Sequence, residues 1–299
     1  MSTNVINEIE VAPGFPGFEL RHSSGSTCRL TRYGAQVLSY IPSNKIGEVY
    51  FLSKKATFAP GKAIRGGVPL VFPQFGKGEL PSHGFARTME WALGSSVVAT
   101  DKGEVSLTLA LRSNEITRGM WPHDFVCEYT VTLGESLLTT LAVKNTGATP
   151  FSFQAALHPY YLVDDIRNVS VARLHGLTVI DFLRERSKHR EERETVTFQE
   201  ATDRVYLSSP SSLAITTSSS GSSIRLEKSG FSDSVVWNPW IEGNASIGDL
   251  AEGDYTRFVC VEPGNVVEAI TLAPGQVHSG CQSVSVSSNS VSDESSLSS

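Results

Sequence analysis

Short runs of alternating polar and apolar residues, separated by turn residues, recur along most of the sequence. The runs Glu104–Ser113, Phe125–Leu133 and Ser136–Lys144 place apolar side chains at every second position, the period of a half-buried β-strand. Gly134 and Gly147 belong to the turn segments that follow two of these runs. Because such runs recur about every ten residues with hardly any helical periodicity between them, the sequence predicts an all-β fold, a large antiparallel sandwich.

The strand pattern continues without a linker from residue 11 to residue 282, which predicts a single domain over 11–282. Residues 1–10 are expected to form an N-terminal tail. Residues 283–299 are rich in serine with almost no large apolar side chain after Val286, so a disordered tail is expected there. The segment Arg184–Glu194 is charged nearly throughout and is expected to form an exposed loop or one solvated helix.

Net charge and hydropathy limit the kinds of molecule that the protein is expected to bind. The chain has 25 Lys and Arg against 31 Asp and Glu, a formal net charge of −6. Nucleic-acid binders usually carry a basic surplus, and a membrane span needs about 20 consecutive apolar residues, which no stretch approaches. No secretory signal is visible at residues 1–10. We therefore expect a cytoplasmic monomer that binds neither nucleic acid nor membrane.

The cysteines and histidines are scattered. The four cysteines, at positions 28, 127, 260 and 281, form no CxxC pair, which predicts reduced thiols and a cytosolic setting. The histidines at positions 83, 158 and 278 show no His-x-His spacing. No metal site is therefore predicted, and a metal-dependent β-barrel enzyme of the cupin type is disfavoured.

Two segments place an arginine beside glycines. Arg65 lies in IRGGVPLVFPQFGKG, where Gly66-Gly67 fits a tight turn or a close approach of the backbone to a ligand. Ser82, His83 and Arg87 lie in LPSHGFAR. A buried arginine needs an anionic or hydrogen-bonding partner, and its planar fork suits phosphate. The two arginines are thus candidates for a joint anion site, with structural salt bridges as the alternative.

Two further residues are candidates for proton transfer. His158 ends an apolar strand in AALHPYY, and imidazole has an intrinsic pKa near neutrality. Glu262 follows four apolar residues in FVCVEPG, and a glutamate is rarely buried without a partner. The alternatives are a core histidine bonded to a backbone carbonyl and a loop salt bridge.

Sugar recognition is the interpretation of two other segments. Asp203 in TDRVY can accept hydrogen bonds from sugar hydroxyls or cap a turn. The two tryptophans of SVVWNPW, at positions 237 and 240, can stack on the C–H face of a sugar or pack in the core.

In this order, IRGGVPLVFPQFG, HGFAR followed by Trp91, ALHPYY, TDRVY, VVWNPW and VEPG resemble the aldose 1-epimerase (galactose mutarotase-like) superfamily. More closely they resemble its glucose-6-phosphate 1-epimerase branch, over about Phe15 to about Cys281. The resemblance implies a β-supersandwich and interconversion of the α and β anomers of hexose 6-phosphates. It also implies that no metal or organic cofactor takes part.

The resemblance assigns a role to each of seven residues. It makes His158 the catalytic acid and Glu262 the catalytic base. The other five fall on substrate positions: Arg65 and Arg87 at the phosphate, Asp203 at a hydroxyl, His83 beside the sugar ring, and Ser82 where relatives often have glutamine. The shorter side chain of Ser82 puts that last contact in question.

Two other functions remain open on the sequence. A non-catalytic sugar-binding or sugar-phosphate-sensing module would not need both His158 and Glu262. A mutarotase for unphosphorylated aldoses would make Arg65 and Arg87 incidental.

Overall fold

The computed structural model describes residues 3–44, 46–100, 102–217 and 222–288. The strands there are β1 Val5–Ala12, β2 Phe15–Arg21, β3 Thr27–Thr31, β4 Val37–Ile41, β5 Leu70–Val71, β6 Ala92–Val97, β7 Val105–Arg112, β8 Phe125–Leu133, β9 Leu137–Asn145, β10 Phe151–Leu157, β11 Tyr160–Leu162, β12 Val169–Ala172, β13 Thr178–Asp181, β14 Ser187–Arg190, β15 Thr195–Thr197, β16 Thr202–Tyr206, β17 Ser212–Thr217, β18 Ser222–Ser229, β19 Asp233–Asn238, β20 Phe258–Leu272 and β21 Val277–Ser288. The helices are α1 Glu115–Met120 and α2 Trp240–Ser246, with 3-10 turns at Ala86–Thr88, Ile166–Asn168 and Asp254–Arg257.

The strands form three antiparallel sheets. The first has the order β1-β2-β3-β4. The second has eight strands in the order β14-β13-β16-β19-β20-β10-β5, with β11 also paired to β20. The third has nine strands in the order β15-β12-β17-β18-β21-β9-β8-β7-β6. The prediction of a large antiparallel β-sandwich is confirmed, and β7, β8 and β9 lie within a residue of the predicted runs at each end.

One cluster of buried apolar side chains draws on all three sheets, as Leu20, Tyr129 and Val236 illustrate. On the eight-stranded sheet the neighbouring residue Val235 belongs instead to a smaller cluster. Because successive residues of a strand point to opposite faces, the eight-stranded sheet has a core face and a second face. The second face, which carries Val235, is the one on which the candidate site lies.

The sheets extend past the predicted domain limits at both ends. β1 begins at Val5, so residues 5–10 form a strand hydrogen-bonded to β2 rather than a tail. β21 continues to Ser288, so residues 283–288 are ordered in a strand paired with β18. Serine is accepted there because Val284 is buried and the ladder satisfies the backbone. The rest of the predicted Ser-rich tail, 289–299, lies outside the described residues.

The charged segment is neither a loop nor a helix throughout, contrary to the prediction. Four of its residues form β14, an exposed edge strand paired with β13. Charged side chains are common on edge strands because they oppose pairing with a further strand. Glu191, just after β14, is buried and accepts hydrogen bonds from Arg193 and from the Tyr206 hydroxyl.

All four cysteines are free thiols, and Cys28, Cys127 and Cys260 are buried. In the described parts of the chain, no helix has the length and apolar character that crossing a bilayer requires.

Candidate active site

The register of the eight-stranded sheet brings distant parts of the sequence into neighbouring rows. Asp203 of β16 lies opposite Trp237 of β19, and Trp237 lies opposite Cys260 of β20. Two residues away from that pair on the same two strands, Val235 of β19 lies opposite Glu262 of β20. Residues two apart on a strand share a face, so Asp203, Trp237 and Glu262 all project from the second face.

A cavity of about 590 Å³ lies over this face. All seven predicted site residues line it: Arg65, Ser82, His83, Arg87, His158, Asp203 and Glu262. The rest of the lining is Phe75, Gly76, Lys77, Phe182, Arg186, Val235 and Trp237. Residues from eight separate segments of the sequence thus meet around one space.

His158 and Glu262 form a buried pair at the base of the site. His158 follows β10, where its backbone N–H donates to the carbonyl of Pro69 at 3.0 Å. Its Nε2 atom lies 3.3 Å from Oε1 of Glu262, and the two residues are 6% and 1% exposed. Nδ1 of His158 and Oε2 of Glu262 have no hydrogen-bond partner among the described residues.

Burial shifts this pair toward its uncharged forms. It raises the pKa of Glu262 well above the usual range, and the charge of nearby Asp203 adds to the effect. It lowers the pKa of His158 well below the usual range, assisted by His83 and Arg87. Without a ligand, the pair therefore favours one proton held between a carboxylic acid and a neutral imidazole.

Aromatic rings fix the orientation of the His158 imidazole. The ring stacks on Tyr160 with centroids 5.0 Å apart, and Trp237 meets it edge-on at 5.8 Å. The two tryptophans of the SVVWNPW segment therefore have different environments. Trp237 lines the cavity, whereas Trp240 packs on Tyr255 with centroids 5.4 Å apart and is not part of the lining.

Arg65 is held by an ion pair and also lines the cavity. Its Nε donates to Asp249 at 3.0 Å and its Nη1 donates to the Tyr160 hydroxyl at 2.8 Å. Burial acts to lower the pKa of Arg65, but Tyr160 and Asp249 outweigh it and raise that pKa. The next residue, Gly66, allows two segments of the backbone to pack closely together. Its φ is 115°, and a Cβ there would collide with the carbonyl of Phe51.

Arg87 lacks such compensation. Its Nη2 donates to the backbone carbonyl of Ser82 at 2.7 Å, and none of the described carboxylates forms an ion pair with it. Burial and the positive charge of Arg65 lower the pKa of Arg87, although a guanidinium stays charged in proteins. Ser82 thus contributes a carbonyl that holds Arg87, while its own side chain is exposed.

His83 is a neutral hydrogen-bonding group. Burial and the charges of Arg87 and Arg65 lower its pKa to about 3. Its Nδ1 accepts from the Gly76 N–H at 3.4 Å, which leaves the proton of the neutral ring on Nε2. His83 can therefore donate one hydrogen bond to a ligand at neutral pH.

Asp203 is a carboxylate that ionises late. Burial, with the charge of Asp181 on the neighbouring strand, raises the pKa of Asp203 to about 6. Above that pH it can accept hydrogen bonds from hydroxyl groups in the cavity.

The sequence reasoning missed two cations of the lining, Lys77 and Arg186. Lys77 lies in the segment that contains Arg65, where nothing distinguishes it from a surface lysine. Arg186 belongs to the charged segment Arg184–Glu194, in which nothing distinguishes it from the neighbouring charged residues. The β13–β14 hairpin brings it to the cavity. Its guanidinium lies 4.3 Å from the ring centre of Phe182, which also lines the cavity. Asp249, the partner of Arg65, was missed as well, because its segment has no distinguishing pattern.

Comparison with known proteins shows the family to which the chain belongs. Residues 16–285 match the family model described as aldose 1-epimerase. The chain is 35% identical over 276 residues to a Cenchrus ciliaris protein named "Putative glucose-6-phosphate 1-epimerase", covering 90% of this chain and 84% of the relative. It is 37% identical over 232 residues to a Salmonella typhimurium protein of the same name, covering 77% of this chain and 76% of the relative.

A solved structure agrees with the sequence comparisons. The crystal structure of a "putative mutarotase (YeaD)" from Salmonella typhimurium superposes with a TM-score of 0.85 and 31% identity, over 95% of this chain and 97% of that one. The chain therefore belongs to the aldose 1-epimerase family and is a carbohydrate epimerase with the galactose mutarotase-like β-sandwich fold.

Proposed function

We propose that this protein is a hexose-6-phosphate 1-epimerase in which Glu262 acts as the base and His158 as the acid. The observation that carries the proposal is the buried His158–Glu262 pair in the same cavity as Arg87, a cation without a carboxylate partner among the described residues. Proton transfer requires the first feature, and a phosphorylated sugar accounts for the second.

The chemistry requires two proton transfers at one hemiacetal. The Glu262 carboxylate takes the proton of the O1 hydroxyl, the C1–O5 bond breaks as C1=O1 forms, and the His158 imidazolium protonates O5. Rotation about C1–C2 presents the other face of the aldehyde, and the same groups act in reverse as the ring closes. Each well-placed proton transfer contributes roughly 10²–10⁴-fold to the rate.

The contact between the two residues supplies the required protonation state. The neutral pair holds one proton, and moving it from Glu262 to His158 across the 3.3 Å contact produces carboxylate and imidazolium. This transfer leaves the net charge of the cavity unchanged. Both residues alternate between their two forms during turnover, which suits groups whose pKa values burial has shifted away from their usual ranges.

Phosphate recognition rests mainly on Arg87. Asp249 already neutralises Arg65, so Arg65 offers its remaining N–H groups with little net charge. Arg87 offers a half-buried guanidinium whose charge an anion would balance. The printed names of the Cenchrus and Salmonella relatives refer to glucose 6-phosphate, which supports the same substrate class.

The remaining polar groups suit the sugar itself. Asp203 accepts from hydroxyl groups, His83 donates from Nε2, and the indole of Trp237 offers an apolar surface to C–H groups.

The ion pair of Arg65 keeps a second function in view, that of a mutarotase for unphosphorylated aldoses. The experiment is the coupled rate of β-anomer formation from freshly dissolved α-glucose 6-phosphate, with α-glucose and α-galactose in parallel. A kcat/KM higher for the phosphorylated sugar by two orders of magnitude or more supports the proposal. Equal values would favour the second function, and no acceleration of any of the three would favour a sugar-binding module.

A further inference from the structure

Cys260 lies beside the proposed catalytic pair but takes no part in the reaction. It precedes Glu262 by two residues on β20, so both side chains leave the same face of the strand. The sulfur of Cys260, a ring nitrogen of His158 and a carboxylate oxygen of Glu262 all lie within 4.8 Å of one another. All three residues are buried; His158 and Glu262 line the cavity, and Cys260, which is not part of the lining, lies next to them.

The spacing of the donors fits a tetrahedral metal site. Zinc binds nitrogen and oxygen at about 2.0–2.1 Å, which places two such ligands about 3.3 Å apart at a tetrahedral angle. The observed separation of Nε2 of His158 and Oε1 of Glu262 is 3.3 Å. A sulfur at about 2.3 Å from zinc would lie about 3.6 Å from each of the other ligands. The sulfur of Cys260 lies within 4.8 Å of the other two donors, and rotation about the single side-chain torsion of Cys260 can bring it to the shorter distance.

Nε2 of His158 and Oε1 of Glu262, the two atoms 3.3 Å apart, are the ones placed to bind the ion. We infer that the cavity is also a zinc site, in which His158, Cys260 and Glu262 bind the ion and a fourth position faces the substrate space.

The charges permit this occupant. A Cys260 thiolate and a Glu262 carboxylate balance the two charges of the ion. Among the other groups of the lining, Arg65 is balanced by Asp249, and His83 is neutral, as its lowered pKa indicates.

Three further cations of the lining, Arg87, Lys77 and Arg186, oppose the ion, and the Asp203 carboxylate offsets them in part. Affinity therefore depends on the thiolate.

Binding must release protons. Cysteine binds zinc as a thiolate, so the ion displaces the proton of the Cys260 thiol on binding. The one proton held by His158 and Glu262 is displaced as well. Each bound ion therefore releases two protons, and affinity rises with pH. A thiolate and an imidazole favour zinc and cobalt over magnesium and calcium.

The consequence is a reversible block. An ion held by Glu262 and His158 occupies the lone pairs that would accept substrate protons, so zinc and sugar phosphate exclude each other. This exclusion rests on the proposed function, whereas metal binding itself does not.

The test uses Co²⁺, because a thiolate bound to cobalt produces a charge-transfer absorption band without any assay of activity. The purified full chain is titrated with Co²⁺, and proton release is followed in weak buffer. The variants are Cys260→Ala and Cys260→Ser, with Cys281→Ser as the matched control because Cys281 is a half-buried thiol that does not belong to this group of donors. Anomer exchange with and without Zn²⁺ is measured on the same samples.

We expect one Co²⁺ per chain with a thiolate band that Zn²⁺ abolishes, and two protons released. The control should behave as the unmodified protein does. Both Cys260 variants should lose the band and bind Zn²⁺ about 100-fold more weakly, while keeping metal-free anomer exchange. Absence of the band in the unmodified protein, or equal Zn²⁺ affinity in the Cys260 variants, overturns the inference. If no anomer exchange is found but the band depends on Cys260, the metal site stands and the proposed function fails.

Discussion

Nε2 of His158 lies 3.3 Å from Oε1 of Glu262 on the face of the eight-stranded sheet that is turned away from the main core. Their second polar atoms have no partner in the described part of the chain. A single proton shared by two buried groups is the basis of the proposal that this pair acts as both acid and base. The arginines of the same cavity differ from each other in their partners, so substituting them should have different effects.

Replacing Arg87 by alanine should raise KM for glucose 6-phosphate roughly 10–100-fold, the effect expected from losing a charge-assisted hydrogen bond. Any activity on free glucose should change little, because that substrate has no anionic group for Arg87 to bind. Steady-state kinetics on both sugars provide the measurement, with Arg118→Ala as the control, since Arg118 pairs with Asp124 in an exposed position. Equal effects on both sugars would show that Arg87 is structural.

Replacing Arg65 by alanine should reduce stability as well as affinity, because Asp249 loses its partner. A cost of about 1–3 kcal/mol in the free energy of unfolding is expected for a partly buried group left unpaired. The double variant Arg65→Ala/Asp249→Ala should recover stability but not affinity. Denaturant unfolding and KM measured on both variants separate the two roles, and a double variant as unstable as the single one would refute the coupling.

Asp203 should give a stability effect that depends on pH. Its pKa in the folded protein is about 6, above the ordinary aspartate value of 3.8. Its contribution is therefore fully favourable below the unfolded pKa and is lost as the pH rises through about 6. Asp203→Asn should unfold at a higher temperature than the unmodified protein at pH 8, and this difference should shrink toward pH 5. A constant difference in melting temperature over that range would contradict the assignment.

The same substitution, Asp203→Asn, should weaken substrate binding. The amide oxygen that Asp203→Asn introduces is a weaker acceptor than a carboxylate, so KM should rise at pH 8. In the unmodified protein KM should rise as the pH falls below about 6, beyond the change caused by titration of the substrate phosphate. The Asp203→Asn variant has no carboxylate at that position. The change of its KM with pH therefore measures the effect of titrating the substrate phosphate alone. Parallel pH profiles for the two proteins would argue against a role in substrate binding.

Much of the fold was predictable because alternation is a local signal. In the runs that form β7, β8 and β9, the alternation of polar and apolar residues is visible within nine or ten residues. The error over β14 has a physical reason: an exposed edge strand has no buried face, so its sequence carries charge without alternation.

The shared position of the seven predicted residues around one cavity was predictable for a different reason, since a family resemblance supplied them as ordered motifs. What the sequence could not state is which residue touches which. The pairing of Arg65 with Asp249 and the approach of Cys260 to His158 depend on sheet register and loop packing across more than 100 residues of chain. For that reason the difference between Arg65, which pairs with a carboxylate, and Arg87, which pairs with none of the described carboxylates, emerges only from the structure.

The proposed role of His158 and Glu262 in proton transfer is tested most directly by anomer exchange in Glu262→Gln and His158→Asn. Glu262→Gln preserves side-chain size and His158→Asn keeps a polar, hydrogen-bonding side chain of smaller size; both variants should fold, as melting temperature and circular dichroism can verify. The rate of β-anomer formation from fresh α-glucose 6-phosphate should fall roughly 10²–10⁴-fold for each variant, because each removes one proton transfer. A folded variant that retains the full rate would contradict the assignment of that residue to proton transfer.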